Sequence, residues 1–487
     1  MWNLLVDYWP HMLAAISVGM AAAAIVHVVM SKEEVRAAIG WVGVILLSPI
    51  VGALVYAIAG INRIRRATMI SERRRATGGD ALHHAVFDVS RALVADLYGE
   101  RFAAMKTLGD RVAKHAMTAG NTIRMLEGGD ETYARMIAAI DGARRGIILE
   151  TYIFDRDAIG LRLAEALVRA RRRGVAVRVL IDAVGARYTV PSIVGTLSEG
   201  GVAVDLFNGK LIMGLRLPYA NLRTHRKILV VDGATAFVGG MNIREGFTSE
   251  FATGERARDT HFCVSGPVVA DLFSVAAEDW RFTTDEALDD DAWRIEPPPT
   301  AHFGAPVFIR AVSSGPDASL ETNHRMLMGA FSVAERSIRI MSPYFLPDRE
   351  LISALATAGR RGVEIDIVVP AHNNLFLVER AMTAQFEQVL KNYCRIWRAQ
   401  GPFDHSKLMA VDSVWAFVGS SNLDPRSLRL NFEIDIELLD SGFAGAIDAR
   451  IEAAIATAEP VTIEELRARP FPLRLADRLL WLGSPYL

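Results

Sequence analysis

The chain has 487 residues, enough for two to four domains, each with its own core. Its formal net charge of -2 excludes an overall basic field that would recruit nucleic acid or acidic lipid, so any attraction to anions must be local. Hydrophobic residues make up 51% of it, a share that directs attention to membrane segments. The two cysteines, Cys263 and Cys394, lie in apolar surroundings and read as buried free thiols, not a disulfide framework.

Residues 1–66 are expected to form a transmembrane hairpin. An apolar run from Leu13 to Met30 is interrupted mainly by Ser17 and His27, and a second extends from Ala37 to Ile61. Each is long enough to cross the hydrocarbon as a helix, with Pro49 kinking the second. No Lys or Arg precedes the first run, which argues against a cleaved signal peptide; a buried soluble helix is the other reading weighed. Arg63, Arg65, Arg66, Arg73, Arg74 and Arg75 follow the second run, a cluster of the kind kept on the cytoplasmic side, where anionic headgroups are in reach. Two spans then place the N-terminus on that side too.

Residues 67–126 read as a helical connector ending in an edge strand. Adjacent His83 and His84 cannot share a helical face, so no metal is expected there. Beyond Glu127 the pattern is α/β, with a first domain over 127–283. Tyr133, Met136, Ile137 and Ile140 mark a helix stripe, Ile147–Phe154 a strand, Leu161–Arg172 a helix closed by Gly174, and Val175–Ile181 and Val202–Phe207 two more strands. Arg171-Arg172-Arg173 suits the dipole at that helix end. Residues 284–306, with Asp289-Asp290-Asp291 and Pro297-Pro298-Pro299, have the composition of a linker, the acids simply solvated. The second domain, 307–487, repeats the grammar: helix Met326–Glu335, strand Ile338–Phe345 and strand Val363–Val369. Alternating strands and helices imply a mostly parallel or mixed sheet covered by helices.

The most specific signal is a duplication. His225-Arg226-Lys227, Asp232, Gly239-Gly240 and Asn242 recur 180 residues later, at the same spacing, as His405-Ser406-Lys407, Asp412, Gly419-Ser420 and Asn422. In an extended segment the His and Lys two apart share a face. One imidazole can attack phosphorus while the other, protonated, supplies a proton to the leaving alcohol, and Lys227 and Lys407 can hold the nonbridging oxygens. Asn242 and Asn422 offer amide donors and Ser420 a hydroxyl where the first copy has Gly240. A carboxylate is expected beside each imidazole: Asp259 follows His225 by 34 residues, and Glu433 follows His405 by 28. For Asp232 and Asp412, direct catalysis and bracing of the motif turn are equally open. An inactive second copy is the bland alternative, but both copies keep every reactive residue.

These paired motifs resemble the HKD signature of the phospholipase D superfamily. The hairpin with Gly40-Trp41, Pro49, Gly52, Tyr56, Gly60 and Arg63 is similar to the membrane anchor of bacterial cardiolipin synthases. So are the strings Asn221–Lys227, Gly239–Ile243, Ser342–Phe345, Ser421–Ser427 and Asn431-Phe432-Glu433. The resemblance implies two phospholipase D-like repeats, sheets flanked by helices, forming one bilobal catalytic unit. It also implies a phosphohistidine intermediate without metal or cofactor, and transfer of a phosphatidyl group from one phosphatidylglycerol to another, giving cardiolipin and glycerol. By the same analogy His225 is the nucleophile and His405 the acid and then base, with the swapped roles left open. A bacterial inner-membrane protein, multi-pass with a cytoplasmic catalytic domain, follows from it.

Transfer over hydrolysis asks for a shielded pocket, for which 211–213 and 215–219 are candidate walls or simply core. Arg223, Arg226 and Lys210 can attract a headgroup or be surface charge. At the C-terminus, Leu473–Leu482 carries Arg474 and Arg478 on a possible opposite face, and reads either as an interfacial helix or as one docked on the protein. A hydrolytic phospholipase D, transfer to another alcohol and a noncatalytic membrane scaffold are the competing functions. A nuclease is disfavoured, since no basic-aromatic track is present. Oligomeric state is not encoded legibly.

Overall fold

The computed structural model describes residues 2–32, 34–60, 87–208, 222–252, 254, 256–295, 307–317 and 319–484. The Arg63–Arg75 cluster, His83, His84, Lys210, the apolar stretch 211–219 and Pro297-Pro298-Pro299 lie outside those residues. The chain divides into a small N-terminal unit, up to residue 65, and a large one that carries the rest of the described chain.

In the small unit, Trp2–Ser31 is one helix. Its stretch Tyr8–Ser31, with mean hydropathy 2.2, is the one helix among the described residues long and apolar enough to cross a membrane. The second apolar run differs from the single span expected over 37–61. It breaks into Val35–Leu47 and Pro49–Val55, followed by a π turn, Tyr56–Gly60. Pro49 disfavours helical backbone at the residue before it, and Ser48 accordingly sits at φ -146°, ψ 81°. The break lets the chain fold back: a Cβ on Gly52 would lie 2.5 Å from the Val44 carbonyl oxygen. His27, which interrupts the first run, finds the buried Tyr56 hydroxyl at 2.7 Å, and the Trp41 ring meets Tyr56 edge-on at 5.3 Å. A polar group placed in an apolar bundle must find its partner there, and this pair does so.

The large unit holds two sheets built on one plan. In chain order the first repeat's strands are β1 (Thr122–Glu127), β2 (Gly146–Thr151), β3 (Ala176–Asp182), β4 (Ala203–Phe207), β5 (Arg223–Thr224), β6 (Ile228–Val231), β7 (Thr235–Gly239) and β8 (Thr260–Ser265). The second repeat contributes β9 (Phe308–Ser314), β10 (Ser337–Met341), β11 (Glu364–Pro370), β12 (Cys394–Ala399), β13 (Leu408–Val411), β14 (Trp415–Gly419), β15 (Asn431–Leu439) and β16 (Glu459–Pro460). The first sheet runs β1-β8-β7-β6-β2-β3-β4, and the second has β15-β14-β13-β10-β11-β12 in the matching places. Strands β2, β3 and β4 are parallel, as are β10, β11 and β12, while the hairpin strands carrying the motifs run antiparallel. The parallel strands lie under helices, and every residue of β2 is buried.

Helix ends follow local chemistry. Asp157 caps Ala158–Arg172 through the Gly160 amide, and Asp348 caps Arg349–Arg360 through the Leu351 amide. The strands expected to reach Phe154 and Phe345 end at Thr151 and Met341. There the chain leaves the sheet, and Phe154 and Phe345 form lone bridges to Ile243 and Leu423. The helices Arg91–Tyr98 and Glu100–Val112, which precede the first repeat in sequence, pack into the core of the second: Val94, Phe102 and Met105 join Phe308, Met326 and Phe331 there. The acidic run 289–291 is exposed, but it is not loose linker, since Asp290 caps a short turn that buries Trp293. Cys394 is buried and Cys263 half-buried, both as free thiols.

Candidate active site

Each histidine segment is extended because it pairs with the opposite repeat. Strand β5 runs parallel to the start of β15, with Thr224 opposite Phe432, and the His225 amide donates to the Phe432 carbonyl at 2.8 Å. The second copy mirrors this: Asp404 bridges Arg258, and the His405 amide donates to the Arg258 carbonyl at 2.8 Å. One residue further along, each imidazole therefore meets a carboxylate from the other repeat. His225 Nδ1 lies 2.9 Å from Glu433 Oε2, and His405 Nδ1 lies 2.8 Å from Asp259 Oδ2. The sequence reading counted each carboxylate forward from the histidine of its own copy; the pairs are crossed. Sequence separation could not reveal this, because the pairing comes from how the two sheets abut.

The other motif groups gather on the same cluster. Lys227 Nζ donates to the His225 carbonyl at 2.6 Å, and Lys407 Nζ to the His405 carbonyl at 2.5 Å. Gly240 of the first repeat sits against the second repeat's lysine, where a Cβ would be 3.1 Å from Lys407 Cδ and 2.8 Å from Asp259 Oδ1. Ser420, in the matching place, does not offer its hydroxyl outward. It accepts from the Ile434 amide at 2.9 Å and donates to Glu433 Oε2 at 2.6 Å, so it steadies the carboxylate that holds His225. Asn242 Oδ1 accepts from the Ile153 amide at 3.2 Å, which turns its NH2 elsewhere, and Asn422 Nδ2 reaches the Ser427 hydroxyl at 3.4 Å.

Asp232 and Asp412 stand apart. The four residues of β6 separate Lys227 from Asp232, a rise of roughly 17 Å over five steps. Asp232 Oδ1 accepts from the amides of Arg145 (2.8 Å) and Gly146 (3.1 Å), and Oδ2 from that of Arg144 (2.9 Å). Asp412 Oδ1 accepts from Arg336 (2.7 Å) and Ser337 (2.8 Å), and Oδ2 from Glu335 (3.0 Å) and the Arg101 guanidinium. Both residues adopt positive φ at a hairpin turn, 53° and 56°, which aspartate tolerates better than most side chains. Of the two roles left open by sequence, these contacts are those of turn braces. Arg226 is likewise neither a headgroup ligand nor surface charge: it is 1% exposed, paired with Asp279, and its Nε donates to the Glu433 carbonyl at 3.0 Å. Arg223 is half-buried, 3.9 Å from Asp182.

Several contributors carried no sequence signal. The His225 ring lies 5.2 Å from that of Tyr152, while the His405 ring is flanked by Tyr344 at 5.9 Å, Phe403 at 5.9 Å and Phe247 at 6.5 Å. The string Ser342–Phe345, singled out in the sequence, was the one clue, and it reaches only Tyr344. His261 is fully buried against Gly239, with no hydrogen-bond partner for either nitrogen among the described residues.

Electrostatics divide the two histidines. Burial pushes His225 well below the ordinary imidazole value, helped by Lys227 and Lys407. His405 is lowered to about 4 by burial and Lys407, with Asp259 pulling the other way. Burial alone would raise Asp259, but His405 and Lys407 hold it below the usual carboxylate range, whereas burial raises Glu433 against the pull of Lys227. Lys227 and Lys407 are brought down by burial to about 7 and about 8. A carboxylate at each Nδ1 fixes the tautomer and leaves Nε2 with the lone pair, and two ammonium groups beside two such nitrogens suit an anionic phosphodiester.

Fold and site together define a phospholipase D-like enzyme that transfers phosphatidyl groups. The family described as "Cardiolipin synthase, PLD-like domain" matches residues 136–270 and 327–455, and that described as "Phospholipase_D-nuclease N-terminal" matches residues 19–60. Cardiolipin synthase A of Pseudomonas aeruginosa (strain LESB58) is 33% identical over 95% of this chain and 93% of its own length. A cardiolipin synthase of Geobacillus sp. (strain WCH70) is 29% identical over 99% of this chain and 96% of its own. In fold, the chain is similar to a phosphatidylserine synthase of Haemophilus influenzae Rd KW20, with TM-score 0.58 at 18% identity over 79% of this chain and all of that one. The chain belongs to the cardiolipin synthase family. Family and N-terminal apolar helix together make it a bacterial membrane protein.

Proposed function

We propose that the enzyme converts two molecules of phosphatidylglycerol to cardiolipin and glycerol. His225 Nε2 attacks the phosphorus of the first lipid, and the bond to its headgroup glycerol breaks as His405 gives that oxygen a proton. The products are free glycerol and a phosphatidyl group on His225. The second phosphatidylglycerol then surrenders a headgroup hydroxyl proton to His405, its oxygen attacks phosphorus, and the P–N bond breaks to restore His225. Lys227 and Lys407 neutralise the nonbridging oxygens throughout. Asp232 and Asp412 contribute by bracing the hairpins behind the motifs.

The observation that carries this assignment is the crossed pairing of unlike carboxylates. His405 faces Asp259, which is held ionised and so favours imidazolium, the form an acid needs. His225 faces Glu433, which burial raises, and this histidine is itself pushed by burial and two lysines toward the neutral form a nucleophile needs. The rings of Tyr152, Tyr344, Phe403 and Phe247 exclude water around both imidazoles, which favours an alcohol acceptor over hydrolysis. The membrane arrangement that fits is a multi-pass N-terminal unit with the catalytic unit on the cytoplasmic face.

The test is incubation of the purified full chain with headgroup-labelled and acyl-labelled phosphatidylglycerol. Release of glycerol with a four-chain lipid, and a phosphohistidine trapped at position 225, are expected. Phosphatidic acid as sole product at high lipid density would overturn the transferase reading.

A further inference from the structure

The C-terminal helix, Phe471–Leu482, is built inside out for a protein surrounded by water. Its deepest side chain is a charge: Asp477 is 1% exposed, ion-paired with Arg380 and, at 2.6 Å, with Arg469. Its apolar residues at helical spacing, Phe471, Leu475, Leu479 and Leu482, are each between 46% and 68% exposed, with Phe471 and Leu475 at the rim of a hollow shared with Thr383 and Ala384. Arg474 and Arg478, for which the sequence offered a possible opposite face, are exposed beside the stripe, with Arg478 3.8 Å from Glu387. The helix that receives it, Phe376–Leu390, begins with a second exposed apolar group, Leu375-Phe376-Leu377. The two groups are joined by Arg380, which lies over the Phe376 ring at 5.7 Å and donates to the Leu473 carbonyl at 3.3 Å. The surface also adjoins the site: Asn374, next to Leu375, accepts a 2.8 Å hydrogen bond from the hydroxyl of Tyr344, whose ring packs on His405.

We propose that this face docks on the bilayer, with Phe471, Leu475, Leu479, Leu482 and residues 375–377 inserted at the headgroup–acyl boundary. Arg474 and Arg478 then lie at the level of the lipid phosphates. The occupant is a lipid surface because the apolar stripe is edged by cations and is linked through Asn374 and Tyr344 to a site that, on the proposed reading, handles lipid phosphates. Its role as a feeding surface rests on the phosphatidyl-transfer reading; its contact with lipid does not. Docking here brings the Tyr344 side of the site to the membrane plane, so a phosphatidyl lipid reaches His405 without crossing water.

The test uses the full chain reconstituted in vesicles of phosphatidylglycerol and phosphatidylcholine, with a nitroxide on Leu479→Cys and identically treated wild-type protein as background. Collisions with oxygen should exceed those with a water-soluble nickel chelate. Dominance of the chelate overturns the proposal, as does dipolar broadening that disappears on dilution with unlabelled protein, the mark of a second copy on this face. A second measurement takes Phe471→Ser, Leu475→Ser and Leu479→Ser together, all at exposed positions. Turnover on vesicle lipid should fall about tenfold while turnover in detergent-mixed micelles stays within about twofold. Equal loss in both, or none in either, overturns the proposal. If the label inserts but wild-type protein forms no four-chain lipid, the reaction assignment fails and the docking surface stands.

Discussion

The two repeats share strand order, motif spacing and hairpin braces, yet they differ where the chemistry needs them to. Behind His225 stands the second repeat's Glu433, steadied by the Ser420 hydroxyl; behind His405 stands the first repeat's Asp259, pressed by Gly240, where no side chain fits. In register opposite the preceding glycines, Gly239 and Gly419, the first repeat has His261 and the second Asp435. His261 lacks a hydrogen-bond partner among the described residues, while Asp435 takes the Ser421 amide (3.1 Å) and Asn323 Nδ2 (2.6 Å) and is pushed by burial up to about 7. The lesson is that duplication supplied two similar halves, and exchange of carboxylates between them gives the two histidines unlike partners, which is what the proposed division of roles requires.

The largest expected effect tests that division outright. His225→Ala and His405→Ala should each cost about 10⁴-fold or more in kcat. With a p-nitrophenyl phosphodiester, whose leaving group needs no proton, His405→Ala should recover glycerol-independent burst release while His225→Ala stays inactive. Rescue of the wrong variant reverses the roles. Asp259→Asn and Glu433→Gln should follow at about 10²- to 10⁴-fold. The crossed geometry requires Asp259→Asn to behave like His405→Ala in the activated-substrate assay, although Asp259 shares a repeat with His225.

Smaller changes sharpen the comparison. Ser420→Ala removes one hydrogen bond to Glu433 and should lower kcat about five- to tenfold. Gly240→Ala forces a Cβ toward Asp259 and should be at least as damaging, so the exchange of glycine and serine between halves is not tolerated in the first. Asp232→Asn should cost about 1–3 kcal/mol of stability, read by thermal unfolding in detergent, with kcat changed far less than for the histidines.

The pH response is the mildest test. His225, His405 and His261 are all held below the ordinary value of 6.5 by burial, the last two at about 4. A folded value below the unfolded one means stability that is complete above about pH 6.5 and is lost as pH falls toward 4. Tm should therefore decline across that window. A bound phosphodiester anion favours imidazolium on His405, so the alkaline limb of kcat should lie at higher pH than that of kcat/KM.

Much of the site was legible without coordinates. A histidine and lysine two apart, duplicated with glycines and asparagine at fixed distances, marked groups that the fold gathers into one cluster, and the helix and strand periods placed them in α/β repeats. Other features were not legible, each for a physical reason. Arg226 looked like an exposed cation because its neighbours in sequence are polar, but its partners Asp279 and the Glu433 carbonyl come from distant elements. Helices 91–98 and 100–112 looked like a connector because their order along the chain says nothing about which core their apolar faces fill.

Local order in the chain determined which residues make up the two motifs, how far apart they lie within each copy, where hairpins turn and where an apolar helix begins. Those properties depend on backbone preference and side-chain period, which act over a few residues. Which carboxylate faces which imidazole and which arginine is buried were decided by how the two repeats pack, and which face of the last helix is left exposed by its docking on the helix Phe376–Leu390. Contacts of that kind join residues far apart in the chain, 208 positions for His225 and Glu433, and only a closed core brings such pairs within 3 Å.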